Sequence, residues 1–330
     1  MLVVGANGVG KTNLLEAVHV ATQGFSPRTR TDSQVVRFGA DGARAAVSGR
    51  RGEVQMELEV TLRRGEGKRA RLNGAPLRAA EQLRTMVSTL VFTPDRLGVV
   101  KGPPAARRAY LDRIIGRLAP SRAALPTEYG AAVGQRNAAL RRVSAGVSAR
   151  AAVEPWSERV AELGAELVTA RLDVLALLEP AFRAGAAELG LEGVSLRYEG
   201  EPPTREGLAA ALERDLDRGA TSLGPHLDDV VLAAGARDLR SFGSQGEQRV
   251  ALLALLLAEA ETIAERTGVP PLLLLDDVLS ELDPARRRAL AARVRSAGQA
   301  LVTATDAAML PAEPDQLLEV TPGAVHGAVA

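Results

Sequence analysis

The sequence predicts an α/β protein: a mixed sheet with flanking helices, organised around a P-loop and interrupted by an inserted α-helical lobe. Three observations predict it. Residues 5 to 12 read Gly-Ala-Asn-Gly-Val-Gly-Lys-Thr, the G-x-x-x-x-G-K-[ST] pattern, set between the apolar tetrad Met1-Leu-Val-Val4 and a helix-competent run from Lys11 to Ala21. The segment Pro271 to Leu275 is continuously apolar and ends in Asp276 and Asp277, as expected of a central parallel strand covered on both faces. Between these motifs, from Pro104 to about Gly190, strand-like alternation gives way to helical spacing.

In order, Met1 to Val4 is a short strand leading into the P-loop. The loop glycines let backbone N–H groups turn inward around phosphates, Lys11 reaches the outer phosphates, and Thr12 is placed to set its hydroxyl on Mg²⁺. The following helix points its positive N-terminal end at the same phosphates. Gly24 to Gly39 is polar and reads as a loop. Val54 to Val60 alternates with period two, and Arg71-Leu-Asn-Gly-Ala75 carries an Asn-Gly hairpin turn. Val87 to Phe92 is a strand closed by Thr93-Pro94-Asp95. In the helical stretch Leu163, Leu167, Leu175 and Leu178 fall near helical spacing and read as core, and Pro120, Pro126, Pro155 and Pro180 punctuate it. Val194 to Tyr198 and Val230 to Ala233 return to strand. A long helix from about Gln245 to Thr267, a helix from Pro284 to Ala297 and a strand from Ala300 to Thr303 complete the series.

Composition narrows the class. With 46% hydrophobic and 25% charged residues, the 330-residue chain is that of an ordinary soluble globular protein. It has no cysteine, which excludes a disulfide framework and a thiolate metal site. Met1 to Val4 carries no charged n-region or cleavage site of a signal peptide. The longest apolar run, Val250 to Ala258, is about half the ~20 residues a membrane span needs and reads as a buried helix. A cytoplasmic protein without a membrane partner is expected. Net charge is +1, yet nine arginines against two acids lie between Ala105 and Arg150, and six (Arg28, Arg30, Arg37, Arg44, Arg50, Arg51) against two between Gly24 and Arg51. On charge alone these clusters fit a polyanion-binding surface and the solvated face of an arginine-rich chain equally well.

Two further motifs carry chemistry. Leu272-Leu-Leu-Leu-Asp276-Asp277 has the Walker B pattern: Asp276 is delivered to the Mg²⁺ region, and Asp277 lies where it orients the attacking water. Gly243-Ser-Gln-Gly-Glu-Gln-Arg249 opens the long helix, with Ser244 as N-cap and Glu247 completing a capping box. An exposed helix N-terminus of this kind is also an anion site, and both roles hold together. The run Asp276-Asp-Val-Leu-Ser-Glu-Leu-Asp283 resembles the Walker B and D-loop of ABC-type ATPases, and residues 243 to 249 resemble their signature motif. That resemblance implies a head-to-tail homodimer sandwiching two ATP molecules, with each signature closing over the γ-phosphate on the other subunit's P-loop.

Strings along nearly the whole chain resemble the RecF family of bacterial recombinational-repair ATPases. They are residues 5–17, Arg28-Thr-Arg-Thr31, Leu72-Asn-Gly74, Val91-Phe-Thr-Pro-Asp95, Val100-Lys-Gly-Pro103, Arg107-Arg-Ala-Tyr-Leu-Asp112, Gln135-Arg-Asn137, Gly224-Pro-His-Leu-Asp-Asp229, Ser244-Gln-Gly-Glu-Gln-Arg249 and Leu274 to Asp283. The resemblance implies an ABC-type P-loop ATPase head made of 1–103 and 191–330, a helical lobe at 104–190, and no long coiled coil. It implies ATP and Mg²⁺ as cofactors, ATP-dependent dimerisation, binding to single-stranded and gapped or double-stranded DNA, and weak DNA-stimulated ATPase activity. It implies work with RecR and RecO in loading RecA, in a cytoplasmic, nucleoid-associated setting. The implied nucleotide contacts are Gly5, Ala6, Asn7, Gly8, Val9, Gly10, Lys11, Thr12 and Asn13, with Ser244, Gly246, Gln248, Asp283 and Thr305. Lys11, Asp277 and Ser244 in trans carry catalysis, and Thr12 and Asp276 hold Mg²⁺. Charge and family together nominate Arg107, Arg108, Arg136, Arg141 and Arg142 for DNA phosphates.

Departures from the family pattern set further expectations. Family members open with two more strands, bearing an Asn-Phe-Arg-Asn-Tyr-like stretch, before the P-loop; without them an exposed sheet edge and a weaker hold on adenine are expected. Leu227 stands where the family carries Arg, which removes a phosphate contact, and His226 reads as a turn residue. Leu301-Val-Thr-Ala-Thr305 lacks the switch histidine of ABC transporters, so Thr303 or Thr305 is expected to share in γ-phosphate sensing. Asp277 is one methylene shorter than the Glu of transporters, which implies slow hydrolysis that times dimer release. Two competing readings are an ABC transport subunit, disfavoured by the Asp-Asp pair, the missing histidine and the helical insert, and a nucleotide-inert scaffold owing to the absent strands.

Overall fold

The chain leaves one packing unit at Arg96 and returns to it at Ile263, so that residues 1–96 and 263 onward form a first unit and Leu97–Thr262 a second. The computed structural model describes residues 1–29, 31–280 and 282–328. The first unit begins with β1 (Leu2–Val4), α1 (Lys11–Gln23), β2 (Gly42–Arg51), β3 (Val54–Arg63), β4 (Arg69–Leu72), β5 (Ala75–Pro76) and β6 (Thr89–Phe92). The second contains α2 (Gly98–Lys101), α3 (Pro104–Leu118), α4 (Leu125–Ser144), α5 (Glu154–Glu188), β7 (Val194–Glu199), α6 (Arg205–Ala210), α7 (Leu212–Arg218), β8 (Asp229–Ala234), β9 (Arg237–Asp238), α8 (Leu239–Phe242) and most of α9 (Gln245–Thr267). The first unit then resumes with β10 (Leu272–Leu275), α10 (Pro284–Ser296), β11 (Ala300–Ala304), β12 (Leu317–Thr321) and β13 (Ala324–Ala328). Among the described residues no helix is long and apolar enough to cross a membrane.

The main sheet runs β13-β12-β1-β11-β10-β6, with every pair parallel except β12–β13. Its central strands are short apolar runs because both faces are covered: Leu273, Leu274 and Leu275 are fully buried, as are Leu2 and Val3. The second sheet, β2-β3-β4-β5, is antiparallel and one-sided. Leu58, Val60 and Leu62 alternate inward onto Val20 of α1, Val36 and Leu83, while Glu57, Glu59 and Thr61 face outward. Asn73 and Gly74 both take positive φ (49° and 80°), the pair that a tight two-residue hairpin turn demands.

Among the described residues β2 and β5 end the antiparallel sheet and β13 and β6 end the main one, whereas the P-loop strand is interior, flanked by β11 on one side and β12 on the other. The β12–β13 hairpin responsible for this lies beyond the last element read from the sequence, although Pro322-Gly323 between two apolar runs was a turn signal. Pro126 and Pro155 sit in first helical turns, where no N–H is missed, but Pro180 lies inside α5. There the buried stripe that includes Leu178 and Phe182 holds the helix together through the break in its hydrogen bonding.

In the second unit α3 and α4 pack on α5, and the antiparallel sheet β7-β8-β9 lies against α5 through β7 and against α3 through β8. Residues 191–262 thus pack with the helices, whereas the three-part division groups them with the head. A polar network ties this unit together. Arg136 and Asp215, both fully buried, pair at 2.6 Å, and Arg136 also donates to Ser157 and Thr221. Arg171 makes a forked pair with Asp112 (2.9 and 3.1 Å) and donates to the Pro225 carbonyl, while Tyr198 donates to Asp228 at 2.6 Å. His226 Nε2 donates to the Thr221 carbonyl at 3.1 Å, which leaves Nδ1 to accept from Tyr129 Oη at 2.7 Å.

Burial lowers the His226 pKa below its ordinary 6.5, against the opposing pull of its bond to Thr221. A base depressed in the fold contributes stability that is complete above the unfolded pKa and is lost as pH falls towards the folded one. Urea unfolding followed through Trp156, the only tryptophan, should therefore show the second unit weakening from about pH 6.5 downward, and His226→Gln should remove that part of the decline. An unchanged profile in the variant would reject the assignment.

Candidate nucleotide-binding site

β1 and β10 are not neighbours. β11 lies between them, and the parallel register brings the C-terminal ends of all three strands side by side. From β1 the chain enters the loop 5–10, where Gly5, Gly8 and Gly10 take φ of 156°, 83° and 112°. Gly10 caps α1 without a side-chain hydrogen bond, and no acid occupies the first turn, so the positive helix end is left to an anion. Lys11, only 8% exposed, donates from Nζ to the carbonyls of Gly5 (2.7 Å) and Ala6 (3.0 Å). A Cβ on Gly5 would stand 2.5 Å from the Val320 carbonyl oxygen, so β12 runs hard against the loop.

At the strand ends three side chains and one backbone amide meet. Thr12 Oγ1 donates to Asp276 Oδ1 at 3.1 Å, and Thr303 Oγ1 donates to the same oxygen at 2.8 Å. The Asp277 amide donates to Thr303 Oγ1 at 2.8 Å. Asp277 has a left-handed φ of 49°, and its Oδ1 is buried with no hydrogen-bond partner. Beyond it, Ser280 Oγ donates to the Asp277 carbonyl, Arg287 Nε donates to the carbonyls of Leu279 and Leu282, and Asp283 caps α10 by accepting from Ala285 and Arg286 N–H at 2.9 Å each. Those N–H groups hold the Asp283 carboxyl below the usual range. Beside α1, Arg28 reaches Glu16 (3.2 Å) and Asn13 (3.4 Å).

These residues fit a magnesium nucleotide. One hydroxyl and one carboxylate, Thr12 and Asp276, are the sparse donor set of a Mg²⁺ ion completed by phosphates and water, and no group of three or more acidic, His or Cys ligands exists among the described residues. Asp277 Oδ1, buried and without a hydrogen-bond partner, has the acceptor capacity to fit a water beside the phosphates. Thr303 and Thr305 part company: Thr303 is fully buried in the cluster, whereas the Thr305 hydroxyl lies against Met309 Sδ at 3.2 Å, outside it.

Other expected residues are placed as follows. Ser244 is exposed at the start of α9, with both halves of the capping box made: the Ser244 amide donates to Glu247 Oε2 (2.8 Å) and the Glu247 amide to Ser244 Oγ (3.2 Å). Gln248 is corrected as a nucleotide contact, because its side chain is 4% exposed and donates to the Leu239 carbonyl at 2.7 Å. Two of the five proposed DNA arginines are corrected for the same reason. Arg107 is 3% exposed in a forked pair with Asp229 (2.7 and 2.7 Å), and Arg136 is the fully buried partner of Asp215. Arg108 is half-buried and donates to the Asp228 carbonyl, while Arg141 and Arg142 are exposed near the end of α4. Of Gly224 to Asp229, only Leu227 presents a large exposed side chain; His226 holds the turn. Arg30 and Glu281 lie outside the described residues.

The chain resembles known proteins along nearly its whole length. A family model described as the RecF/RecN/SMC N terminal domain matches residues 1–326. The chain is 38% identical to a DNA replication and repair protein RecF of Symbiobacterium thermophilum, covering 92% of this chain and 84% of that protein. It is also 38% identical to the RecF of Anaeromyxobacter sp. (strain K), covering 100% of this chain and 93% of that one. Among solved structures, the recombination mediator protein RecF-ATP in the RecFOR pathway superposes with a TM-score of 0.86 at 27% identity, covering 99% of this chain and 91% of that chain. The Smc head domain of Pyrococcus furiosus shares the fold, with a TM-score of 0.58 at 18% identity and coverage of 99% and 89%.

Gly5→Val should overpack the loop against Val320 and lower the stability of the first unit by about 1–3 kcal/mol. Gly8→Ala, with nothing within 4 Å of its new Cβ, should show only the smaller penalty of its positive φ. Denaturant midpoints that rank the two variants the other way would refute the close approach of β12.

Proposed function

The chain belongs to the RecF family, within the wider group of proteins that share the RecF/RecN/SMC N-terminal domain, and from that premise we propose that it is an ATP-dependent DNA-binding protein of recombinational repair. The observation that carries this reading is the cluster of Thr12, Asp276, Thr303 and Asp277 at the ends of three parallel strands, beside an uncapped helix N-terminus. In this reading residues 5–13 take the triphosphate of ATP and Thr12 and Asp276 hold Mg²⁺. The ion, when bound, neutralises charge on the phosphates. Lys11 brings its ammonium to the outer phosphates, and Asp277 orients water through its unpartnered carboxylate oxygen. Hydrolysis is slow, because the short Asp277 side chain positions that water imperfectly, and the family points to its stimulation by DNA.

Ser244 and Gly246 of one copy close over the nucleotide of another, so ATP binding energy is realised in full only in the dimer. Ser244 suits this role because it is exposed at the open end of α9. In terms of motifs rather than packing, the chain divides into the N-terminal head (1–103), the helical lobe (104–190) and the C-terminal head with signature, Walker B and D-loop (191–330). Arg141 and Arg142, with Arg108 at the margin, hold DNA phosphates without reading sequence. The family points to single-stranded and gapped DNA, to RecR, RecO and RecA as partners, and to a cytoplasmic, nucleoid-associated site.

Two measurements test this. Ser244→Arg should leave ATP titration of the monomer unchanged and abolish the ATP-dependent rise in mass seen by light scattering; loss of monomer binding would mean that Ser244 serves the fold alone. DNA affinity should fall steeply with salt, and Arg141→Ala with Arg142→Ala should flatten the log–log slope by about 2 in total. An unaltered slope would take these arginines out of the interface.

A further inference from the structure

Thr303 is the only polar residue of β11, a strand otherwise made of Ala300, Leu301, Val302 and Ala304, and it is fully buried. A hydroxyl in such a place must find partners within the protein, and the two that it finds belong to adjacent residues at the end of β10. Its single proton goes to Asp276 Oδ1 at 2.8 Å, and its lone pair accepts the Asp277 amide at 2.8 Å. The register that pairs Val3 with Thr303 and Leu275 with Val302 puts the hydroxyl between the P-loop strand and the carboxylate strand, where Thr12 shares the same Asp276 oxygen.

The residue held by the second bond is unusual. Asp277 is one of only two non-glycine residues at positive φ among those described, and such a conformation persists where the surroundings over-determine it. Ser280 Oγ secures the Asp277 carbonyl at 3.0 Å, but on its amide side the bond to Thr303 is the fixing contact. The carboxylate carried by this backbone has a buried oxygen with no partner, so its aim is set by the main chain and not by a bond of its own.

We propose that Thr303 is a positioning residue for hydrolysis. Its hydroxyl pins the Asp277 amide in the left-handed conformation, and thereby aims the Asp277 carboxylate, while it fixes the Asp276 oxygen shared with Thr12. This rests on the reading of Asp277 as the residue that orients water. It replaces the expectation that Thr303 senses the γ-phosphate, because the one proton that a sensor would donate is already given to Asp276.

The test compares Thr303→Val, which keeps the shape and removes the hydroxyl, with Thr303→Ser, which keeps the hydroxyl. In nucleotide-free protein, hydrogen exchange at the Asp277 amide should speed up at least ~10-fold in the Val variant and stay near wild type in the Ser variant. With ATP, titrated affinity should change by less than ~3-fold in both, while turnover should fall at least ~10-fold with Val and be largely restored with Ser. In an Asp277→Asn background, adding Thr303→Val should cause no further loss of turnover, because the carboxylate being aimed is gone. Unaltered exchange in the Val variant, equal losses of affinity and turnover, or multiplicative losses in the double variant would each overturn the proposal. Wild-type protein with no ATP turnover would overturn the reading of Asp277 and, with it, the proposed hydrolytic role of Thr303; protection of the amide would then establish the pin alone.

Discussion

The site depends on one constraint: the strand that carries the P-loop and the strand that carries the two aspartates do not pair with each other. β11 separates them, and the distance between their ends is bridged by one threonine hydroxyl and one carboxylate oxygen. In a parallel sheet the carboxyl ends of neighbouring strands share one edge, which is where ligands of open α/β sheets bind. Interposing a strand widens that edge enough for a loop, a helix N-terminus and an acidic turn to surround a single volume. The apolar filling of β1, β10 and β11 is thus a requirement of the chemistry as well as of stability, because it leaves Thr303 as the only polar group between the motifs.

Arginine serves two purposes in this chain. Arg107, Arg136 and Arg171 are buried and paired with Asp229, Asp215 and Asp112, and Arg117 reaches the buried Glu259. Such pairs are weak evidence for net stability but hold geometry tightly, since removing one partner strands a buried charge. The guanidinium fork suits this work better than an ammonium, having several donors in a fixed plane. With three lysines in 330 residues, the chain entrusts nearly all of its positive charge, internal and external, to that one group.

Much of the fold and part of the site were legible in the sequence, for a physical reason. The P-loop, the Asn73-Gly74 turn, the Ser244 capping box and the bounds of α9 at Gln245 and Thr267 are all set within a few residues of themselves. What escaped depends on partners distant in sequence. The arginine cluster between Ala105 and Arg150 looked uniform because burial is invisible to a count, and Asp215 and Asp229, which neutralise two of its members, lie well downstream. The choice between Thr303 and Thr305 needed the register of β11 against β10. The hairpin β12–β13 needed to be seen beside β1, and Pro180 needed the buried stripe of α5 to outweigh its local preference.

The helix α9 is continuous from Gln245 to Thr267. Its first turn is the capping box at Ser244, and about fifteen residues later Glu259, 1% exposed, is gripped by Tyr110 and Arg117 of α3. At a rise of about 1.5 Å per residue these points lie roughly 22 Å apart on a stiff rod. A tilt of about 5° at the Glu259 anchor moves the Ser244 end by roughly 2 Å by the same geometry, comparable to the margin between a made and a broken hydrogen bond. The ion pair to α3 thus anchors, about four turns away, the same continuous helix whose first turn presents Ser244.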